Sequence, residues 1–133
     1  MKSILIQTKK RREIVDITDL VGKEIRKRDL GTGACLIFVK HTTAALTTAD
    51  LDPGTDLDML DAFEEIIPKL DYRHPHNPAH APDHILSSII GASLVVPVVD
   101  NALELGTWQR IVLVELDGPR MREVVIAFLA EVG

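Results

Sequence analysis

Apolar runs of strand length recur along this chain and predict a strand-rich fold. Residues 3–8 and 13–17 flank the basic run 9–12 and predict a hairpin in which the basic run is a solvated turn. Residues 34–40 form a continuous apolar run, which is typical of a strand buried on both faces. The remaining predicted strands cover residues 44–48, 93–99, 104–107, 109–115 and 122–130.

Apolar residues at helical spacing predict three short helices between these strands. The helices cover residues 18–28, 55–67 and 83–90. Thr18 or Asp19 is the expected N-cap of the first helix, and Thr55 or Asp56 that of the second. Strands and helices do not alternate strictly, so a doubly wound parallel sheet is disfavoured. We therefore expect an α+β fold with two packed, largely antiparallel sheets and two or three helices.

Length and composition indicate one globular domain over residues 1–133. Hydrophobic residues make up 46% of the chain and charged residues 26%, a balance that argues against disorder. The net charge of −5 argues against a nucleic-acid partner. No stretch approaches the ~20 apolar residues that cross a membrane, and Met1 leads into a strand-like run. We expect no membrane partner and a cytoplasmic location.

The single cysteine, Cys35, lies inside the apolar run 34–39 and cannot form a disulfide within the chain. Free cysteine behaves as a small hydrophobic residue when it is buried. We expect Cys35 to be part of the core rather than a nucleophile.

One proline-interrupted loop holds most of the histidines: His74, His76, His80 and His84. Imidazole is the commonest metal ligand in proteins. Pro82 disfavours helical geometry in the residue before it, so we expect His80 to precede the third helix and His84 to stand in its first turn. These histidines compete for about three ligand positions of a metal site. The alternative is a polar surface loop whose histidines only form hydrogen bonds.

Two further candidates stand where an apolar strand ends. His41 closes the run 34–40 and is followed by Thr42 and Thr43. Glu115 closes the run 109–115, and a lone buried acid usually has a partner. It is a candidate metal ligand, a partner that orients a histidine, or a general base. For His41 the alternative is a core histidine satisfied by its neighbours.

Two sequence segments offer groups that suit a phosphorylated ligand with a flat ring. Trp108 supplies a stacking face and Gln109 an amide that both donates and accepts. The turn that precedes Arg120 and Arg122 supplies guanidinium groups, whose planar fork suits phosphate. The alternatives are a packed tryptophan and an ordinary turn with exposed arginines.

These motifs, in their order and spacing, resemble the YjbQ family, also called UPF0047, over residues 4–130. The motifs are His41-Thr-Thr-Ala-Ala-Leu-Thr, Tyr72-x-His74, His84-x-x-x-Ser88-x-x-Gly91-x-Ser93, Pro97, Gly106-Thr-Trp-Gln109 and Glu115-x-Asp-Gly-Pro-Arg120. The resemblance implies a compact YjbQ-like domain with about seven strands in two sheets. It also implies a homotrimer around a three-fold axis, with sites near the subunit boundaries.

The resemblance implies a divalent, zinc-like metal held by His41, His74 and His84, with His80 ranked below them and His76 facing substrate or an outer position. We expect three catalytic residues: Glu115, Asp50 and Arg120. We expect five residues to bind substrate: Thr42, Thr43, Trp108, Gln109 and Arg122. The family often carries an Asn-Glu-Asn-like stretch after the His-Thr-Thr motif. Here residues 48–52 read Thr-Ala-Asp-Leu-Asp, which leaves Asp50 and Asp52 as the candidate acids.

Members of this family are often described as secondary thiamine-phosphate synthases, which join a pyrimidine diphosphate to a thiazole phosphate and release pyrophosphate. The resemblance therefore implies a metal-associated enzyme that acts on a small phosphorylated molecule. Two alternatives stay open. One is a metal-dependent hydrolase of phosphorylated or ester substrates, with Glu115 as general base. The other is a non-enzymatic trimeric protein that binds a metabolite or a metal.

Overall fold

The computed structural model describes residues 1–132 and contains two antiparallel sheets and three α-helices. The strands are β1 (Lys2–Gln7), β2 (Glu13–Asp16), β3 (Gly33–Val39), β4 (Ala44–Ala49), β5 (Ser93–Val99), β6 (Ala102–Leu103), β7 (Arg110–Glu115) and β8 (Met121–Ala130). The helices are α1 (Thr18–Arg28), α2 (Thr55–Ile66) and α3 (Ala81–Ile90), and a single 3-10 turn (Pro78–His80) precedes α3.

The strand order confirms the predicted fold class. One sheet has the order β1-β8-β3-β5-β6 and the other the order β2-β7-β4, and every pairing is antiparallel. The predicted strand 104–107 is wrong, because β6 ends at Leu103 and the chain then turns. In that turn the backbone N–H of Gly106 donates to Oε1 of Gln109 at 2.8 Å.

The predicted hairpin at the N-terminus is also wrong. β1 pairs with β8 and β2 pairs with β7, so the basic run carries the chain from one sheet to the other. Beside it, the turn between β7 and β8 carries the chain back from the three-stranded sheet to the five-stranded sheet. The N–H of Gly118 donates to the carbonyl of Arg11 at 2.8 Å, which joins the two crossings. The basic run is therefore bonded to the protein and is not a free turn.

The three-stranded sheet is the middle layer, and it separates two apolar cores. Side chains alternate along a strand. Ile111 and Leu113 of β7 therefore face the first core, which lies against the five-stranded sheet and α1. Val112 and Val114 face the second core, which lies against α2 and α3. Within one chain the strand buried on both faces is β7, whereas the predicted run 34–40 is buried on one face only.

The outer face of the five-stranded sheet is apolar and exposed in the single chain. In β3, Cys35 and Ile37 point into the first core, whereas Phe38 points outward and is 42% exposed. Large apolar side chains of the neighbouring strands lie on the same outward side. We call this surface the outer apolar face; its most exposed members are Leu5, Phe38, Val95, Val99, Met121 and Leu129.

The helix starts differ from the predicted caps. Thr18 is the first residue of α1, and its N–H and hydroxyl both donate to Oδ1 of Asp16, at 3.0 and 2.7 Å. Gly54 precedes α2 with a φ of 92°, a left-handed conformation that glycine adopts without strain. Neither Thr55 nor Asp56 caps that helix. Within residues 1–132, none of the helices is both long and apolar enough to span a bilayer.

The start of α3 departs from the expectation that Pro82 keeps Ala81 out of helical geometry. Ala81 has φ −57° and ψ −41°, so it is helical although Pro82 follows it. Pro82 is tolerated there because it stands in the first turn, where its missing N–H removes no helical bond. As expected, His80 precedes α3 and His84 lies in its first turn. The continuous passage from the 3-10 turn into α3 places both histidines at one end of the helix.

Candidate functional site

An open cleft of about 650 Å³ lies where β3 ends, β8 begins and α3 starts. We call it the histidine cleft. Its lining consists of Lys40, His41, Thr42, Thr43, His80, His84, Asp117, Arg120, Met121 and Arg122. The structure thus brings together residues from three distant parts of the sequence, and most of them are charged or polar.

His41 leaves the end of β3 and presents one nitrogen to its neighbour strand. Its Nε2 accepts a hydrogen bond of 2.9 Å from the backbone N–H of Glu123. Burial, and then the positive charge of Arg122, lower the pKa of His41 below its ordinary value. The ring is therefore neutral near pH 7, with its proton on Nδ1. In this state His41 is a hydrogen-bond donor through Nδ1.

The histidines of the loop divide into two groups. His80 and His84 line the histidine cleft, and Nδ1 of His80 lies 4.0 Å from Oδ2 of Asp117. His74 lies behind His84, with the two ring centroids 4.9 Å apart and the planes inclined by 19°. His76 is exposed and meets His74 edge-on at a centroid distance of 6.4 Å.

The expected metal set does not fit the arrangement within one chain. Among residues 1–132, no group of three or more His, Cys, Asp or Glu side chains is arranged to hold a metal ion. Imidazole lone pairs lie in the ring plane, and the nearly parallel rings of His74 and His84 cannot direct them at one ion. The Nε2 lone pair of His41 is already engaged by Glu123.

A buried ion pair forms the wall behind the cleft. Glu115 is fully buried, and Nε of Arg122 donates to its Oε1 at 2.9 Å while Nη2 donates to Oε2. The hydroxyl of Thr8 donates to Oε1 at 2.6 Å, and the N–H of Asp117 donates to Oε2 at 3.1 Å. Burial alone raises the pKa of Glu115, but the bonds from Arg122 and Thr8 outweigh it and hold the pKa below its ordinary value. Both carboxylate oxygens are thus engaged by protein donors.

Arg122 also fixes Thr43, two residues after His41. Its Nη2 donates to the carbonyl oxygen and to Oγ1 of Thr43, at 3.0 and 2.9 Å. Thr43 is buried by these contacts, whereas Thr42 is exposed at the cleft. Of the predicted substrate-binding residues Thr42, Thr43 and Arg122, only Thr42 has an exposed side chain. The side chains of Thr43 and Arg122 are held in the wall of the cleft.

The exposed cations of the cleft are Arg120 and Lys40. The Arg120 side chain is 54% exposed, and its guanidinium donates to the carbonyl and to Oδ2 of Asp117 at 2.8 and 3.0 Å. The Lys40 side chain is 51% exposed and lies 3.3 Å from a carboxylate oxygen of Glu123. Exposed pairs of this kind contribute little to stability, so both cations can rotate toward an anion in the cleft.

The structure separates two predicted site residues from the histidine cleft. Asp50 and Trp108 line a second cleft of about 240 Å³, together with Asp16, Leu51, Asp52, Thr107 and Arg110. Trp108 is 70% exposed. Gln109 uses its side-chain oxygen to accept the N–H of Gly106. One chain therefore divides the residues expected in a single site between two clefts.

Sequence reasoning missed Asp83 and the role of the basic run. Asp83 is fully buried next to His84 and pairs with Arg12 Nη2 at 2.7 Å and with Arg11 Nη2 at 3.3 Å. An acid at a helix start is ordinary in sequence, so only the excess of charge in run 9–12 could have suggested a buried partner. Lys40, which also lines the cleft, carried no distinct sequence signal.

Comparison with known proteins agrees with this architecture. The model of the UPF0047 protein YjbQ-like family matches residues 2–131. A UPF0047 protein of Archaeoglobus fulgidus is 39% identical over 127 residues, which cover 95% of this chain and 98% of the relative. The UPF0047 protein YugU of Bacillus subtilis is 38% identical over 130 residues, which cover 97% of this chain and 98% of the relative.

Solved structures show the same fold. A crystal structure from Sulfolobus solfataricus, described as a YbjQ-like protein of unknown function, superposes with a TM-score of 0.91 at 38% identity. It covers 98% of this chain and 96% of its own. A hypothetical protein from Aeropyrum pernix superposes with a TM-score of 0.88 at 36% identity, covering 98% of both chains. The family model and these relatives together show that the chain belongs to the UPF0047 (YjbQ-like) family.

Proposed function

We propose that the histidine cleft binds the phosphate groups of a small molecule and supports a transfer reaction in which pyrophosphate leaves, as in secondary thiamine-phosphate synthesis. The observation that carries the proposal is the meeting of His41 and His84 with the two exposed cations Arg120 and Lys40 in one open cleft. Imidazole and guanidinium groups together suit an anion that also needs proton donors.

The charge arrangement supports binding of a multiply charged anion. Arg120 and Lys40 each have one carboxylate partner at the cleft rim, Asp117 and Glu123 respectively. A diphosphate offers more acceptor oxygens than either carboxylate, and the planar fork of arginine binds two of them at once. Nδ1–H of His41 adds a neutral donor at the end of β3. The cleft thus offers the donors that a diphosphate requires.

The proposed step needs little covalent chemistry from the protein. A ring nitrogen of the thiazole phosphate attacks the methylene carbon of the pyrimidine diphosphate, and a C–N bond forms as the C–O bond breaks. The bonding electrons leave on pyrophosphate, whose growing charge Arg120 and Lys40 stabilise. His84, or His80 beside it, donates a proton to the departing oxygen. Positioning and electrostatics supply most of the rate in such a mechanism.

We propose that the working unit is the homotrimer, with a zinc-like divalent metal as a further ligand whose site one chain does not assemble. The outer apolar face supports the trimer, since Phe38, Val95 and Leu129 are 42, 64 and 54% exposed. Contiguous apolar surface of this kind marks an interaction site. Met121 lies on the same side of β8 as Leu129 and also lines the histidine cleft. The cleft therefore borders the surface that a second copy would cover.

Titration with inorganic pyrophosphate and a product assay with the two thiamine precursors test the proposal. His84→Ala and Arg120→Met should each lower pyrophosphate affinity and turnover by about tenfold or more. Lys23→Met removes an exposed cation on α1 and serves as the control, with both quantities unchanged. Absence of pyrophosphate binding by the wild type would exclude the proposal. Binding without turnover would favour the non-enzymatic alternative, and release of phosphate from simple esters would favour the hydrolase.

A further inference from the structure

We propose that Arg12 and Asp83 form a positioning pair that sets His84 at its working distance from Arg120 across the histidine cleft. Residues 8–12 link the two walls of that cleft, and we call them the strap. The basic run 9–12 within the strap was predicted as a solvated turn, and its bonds show a different use. The inference rests on the proposed function of the histidine cleft.

The strap is hydrogen-bonded to the wall that carries Arg120 through its backbone and the hydroxyl of Thr8. The N–H of Thr8 donates to the carbonyl of Arg120 at 2.9 Å, and the N–H of Arg120 donates to Oγ1 of Thr8 at 2.8 Å. Three residues further along, the carbonyl of Arg11 accepts the N–H of Gly118. These bonds hold the turn 117–120 in one place relative to the strap.

The strap is bonded through its side chains to the wall that carries His84. Nη2 of Arg12 lies 2.7 Å from Oδ1 of Asp83, and Nη2 of Arg11 lies 3.3 Å from Oδ2. The Asp83 side chain is 0% exposed and that of Arg12 is 14% exposed. A buried carboxylate that loses its cation is strongly destabilised, so Asp83 must follow the position of Arg12. His84 is the next residue in the first turn of α3 and moves with Asp83.

Arg12 has a second partner, Glu64, which allows the role of Arg12 in positioning His84 to be distinguished from its contribution to protein stability. Its Nη1 lies 2.9 Å from Oε2 of Glu64 on α2, whose side chain is 64% exposed. Glu64 is therefore an ionic neighbour of the same guanidinium, without a hydrogen bond to it, and it makes no hydrogen bond or ion pair with His84. Removing Glu64 weakens the surroundings of Arg12 without releasing Asp83. Glu64→Gln is accordingly the matched control.

The experiment is a double-mutant cycle on pyrophosphate affinity in the full-length protein. Arg12→Lys keeps the charge but replaces the guanidinium, whose Nη2 bonds Asp83 while Nη1 faces Glu64, with a single ammonium group; it is measured in the wild type and in the His84→Ala background. We expect Arg12→Lys to weaken binding about tenfold in the wild type and less than about twofold when His84 is absent, as for residues that orient a ligand-binding side chain. Asp83→Asn should behave as Arg12→Lys does, and Glu64→Gln should leave affinity unchanged. Circular dichroism at the titration temperature verifies that each variant is folded.

An equal loss of affinity with and without His84 would overturn the inference, as would an unchanged affinity in Arg12→Lys. A second readout needs no ligand: the ¹⁵N and ¹H resonances of the His84 ring should shift in Arg12→Lys and stay in place in Glu64→Gln. If the wild type fails to bind pyrophosphate, the proposed function fails. The ring resonances then decide the positioning role alone, and unchanged His84 resonances would refute it.

Discussion

The imidazole rings of His74 and His84 lie nearly parallel, with their centroids 4.9 Å apart and their planes inclined by 19°. Two rings in this arrangement direct their lone pairs along parallel planes, so they cannot share one ion. A metal held jointly by these histidines requires the rings to separate, and His41 to release the backbone N–H of Glu123. The zinc site implied by the family resemblance stays a prediction, and it requires both of these rearrangements.

A zinc titration tests whether the rings of His74 and His84 separate to bind a metal. We expect added zinc to shift the ring resonances of His74 and His84 together, because both rings must leave their stack to become ligands. His84→Ala should lower zinc affinity by at least about tenfold. His76→Asn, which changes an exposed histidine of the same loop, should retain the wild-type affinity. Equal zinc affinities for all three proteins would remove these histidines from any metal site.

The Glu115–Arg122 pair predicts how stability depends on pH. Burial raises the pKa of Glu115, but the bonds from Arg122 and Thr8 hold it below the ordinary glutamate value. A group with a depressed folded pKa stabilises the protein above its unfolded pKa, near 4.5, and loses that contribution as pH falls through the folded pKa. Urea unfolding between pH 7 and pH 3 should show this loss at the acidic end.

Glu115→Gln should lower the free energy of unfolding at pH 7 by roughly 3–5 kcal/mol, because it leaves the Arg122 charge buried without a counterion. The same substitution should flatten the acidic part of the stability curve. Glu65→Gln on the exposed side of α2 provides the control and should leave the curve unchanged. A Glu115→Gln protein with wild-type stability at pH 7 would contradict the buried pair.

The outer apolar face predicts the effect of a charge on assembly. Phe38→Glu places a carboxylate in the middle of this face, where a second copy would have to desolvate it. We expect light scattering to give the mass of three chains for the wild type and of one chain for Phe38→Glu. Ile89→Glu, at a 63% exposed position on α3, should remain trimeric. A wild-type mass of one chain would refute the trimer.

Cys35 should be unreactive in the folded protein. Burial raises the pKa of its thiol to about 11, and the side chain is fully buried in β3. At pH 8 roughly one thiol in a thousand is ionised at such a pKa, and the thiolate is the reactive form. A thiol-specific reagent should therefore label Cys35 only after unfolding in guanidinium chloride. Rapid labelling of the native protein would show that β3 opens.

The sequence predicted the fold class because the periodicity of apolar residues is a local property. β1, β5, β7 and β8 each lie within a residue or two of a predicted run, and α1 covers the predicted range 18–28. The hairpin failed because local patterns do not identify the partner of a strand. Both β1 and β2 are adjacent to the basic run. Yet β1 pairs with a strand more than a hundred residues away, and β2 pairs with one about a hundred residues away.

By itself the sequence determined which side chains are candidates for chemistry: the histidine loop, His41, and the acid and arginines around the turn 117–120. The tertiary structure alone decided which of them meet. It joined His41 to His84 and Arg120, moved Asp50 and Trp108 to another cleft, and gave the basic run the buried Asp83 as a partner. The physical reason is that each buried charge is neutralised by the opposite charge that the fold places beside it, and the two residues can be distant in sequence. Only the folded chain brings such residues within hydrogen-bonding distance.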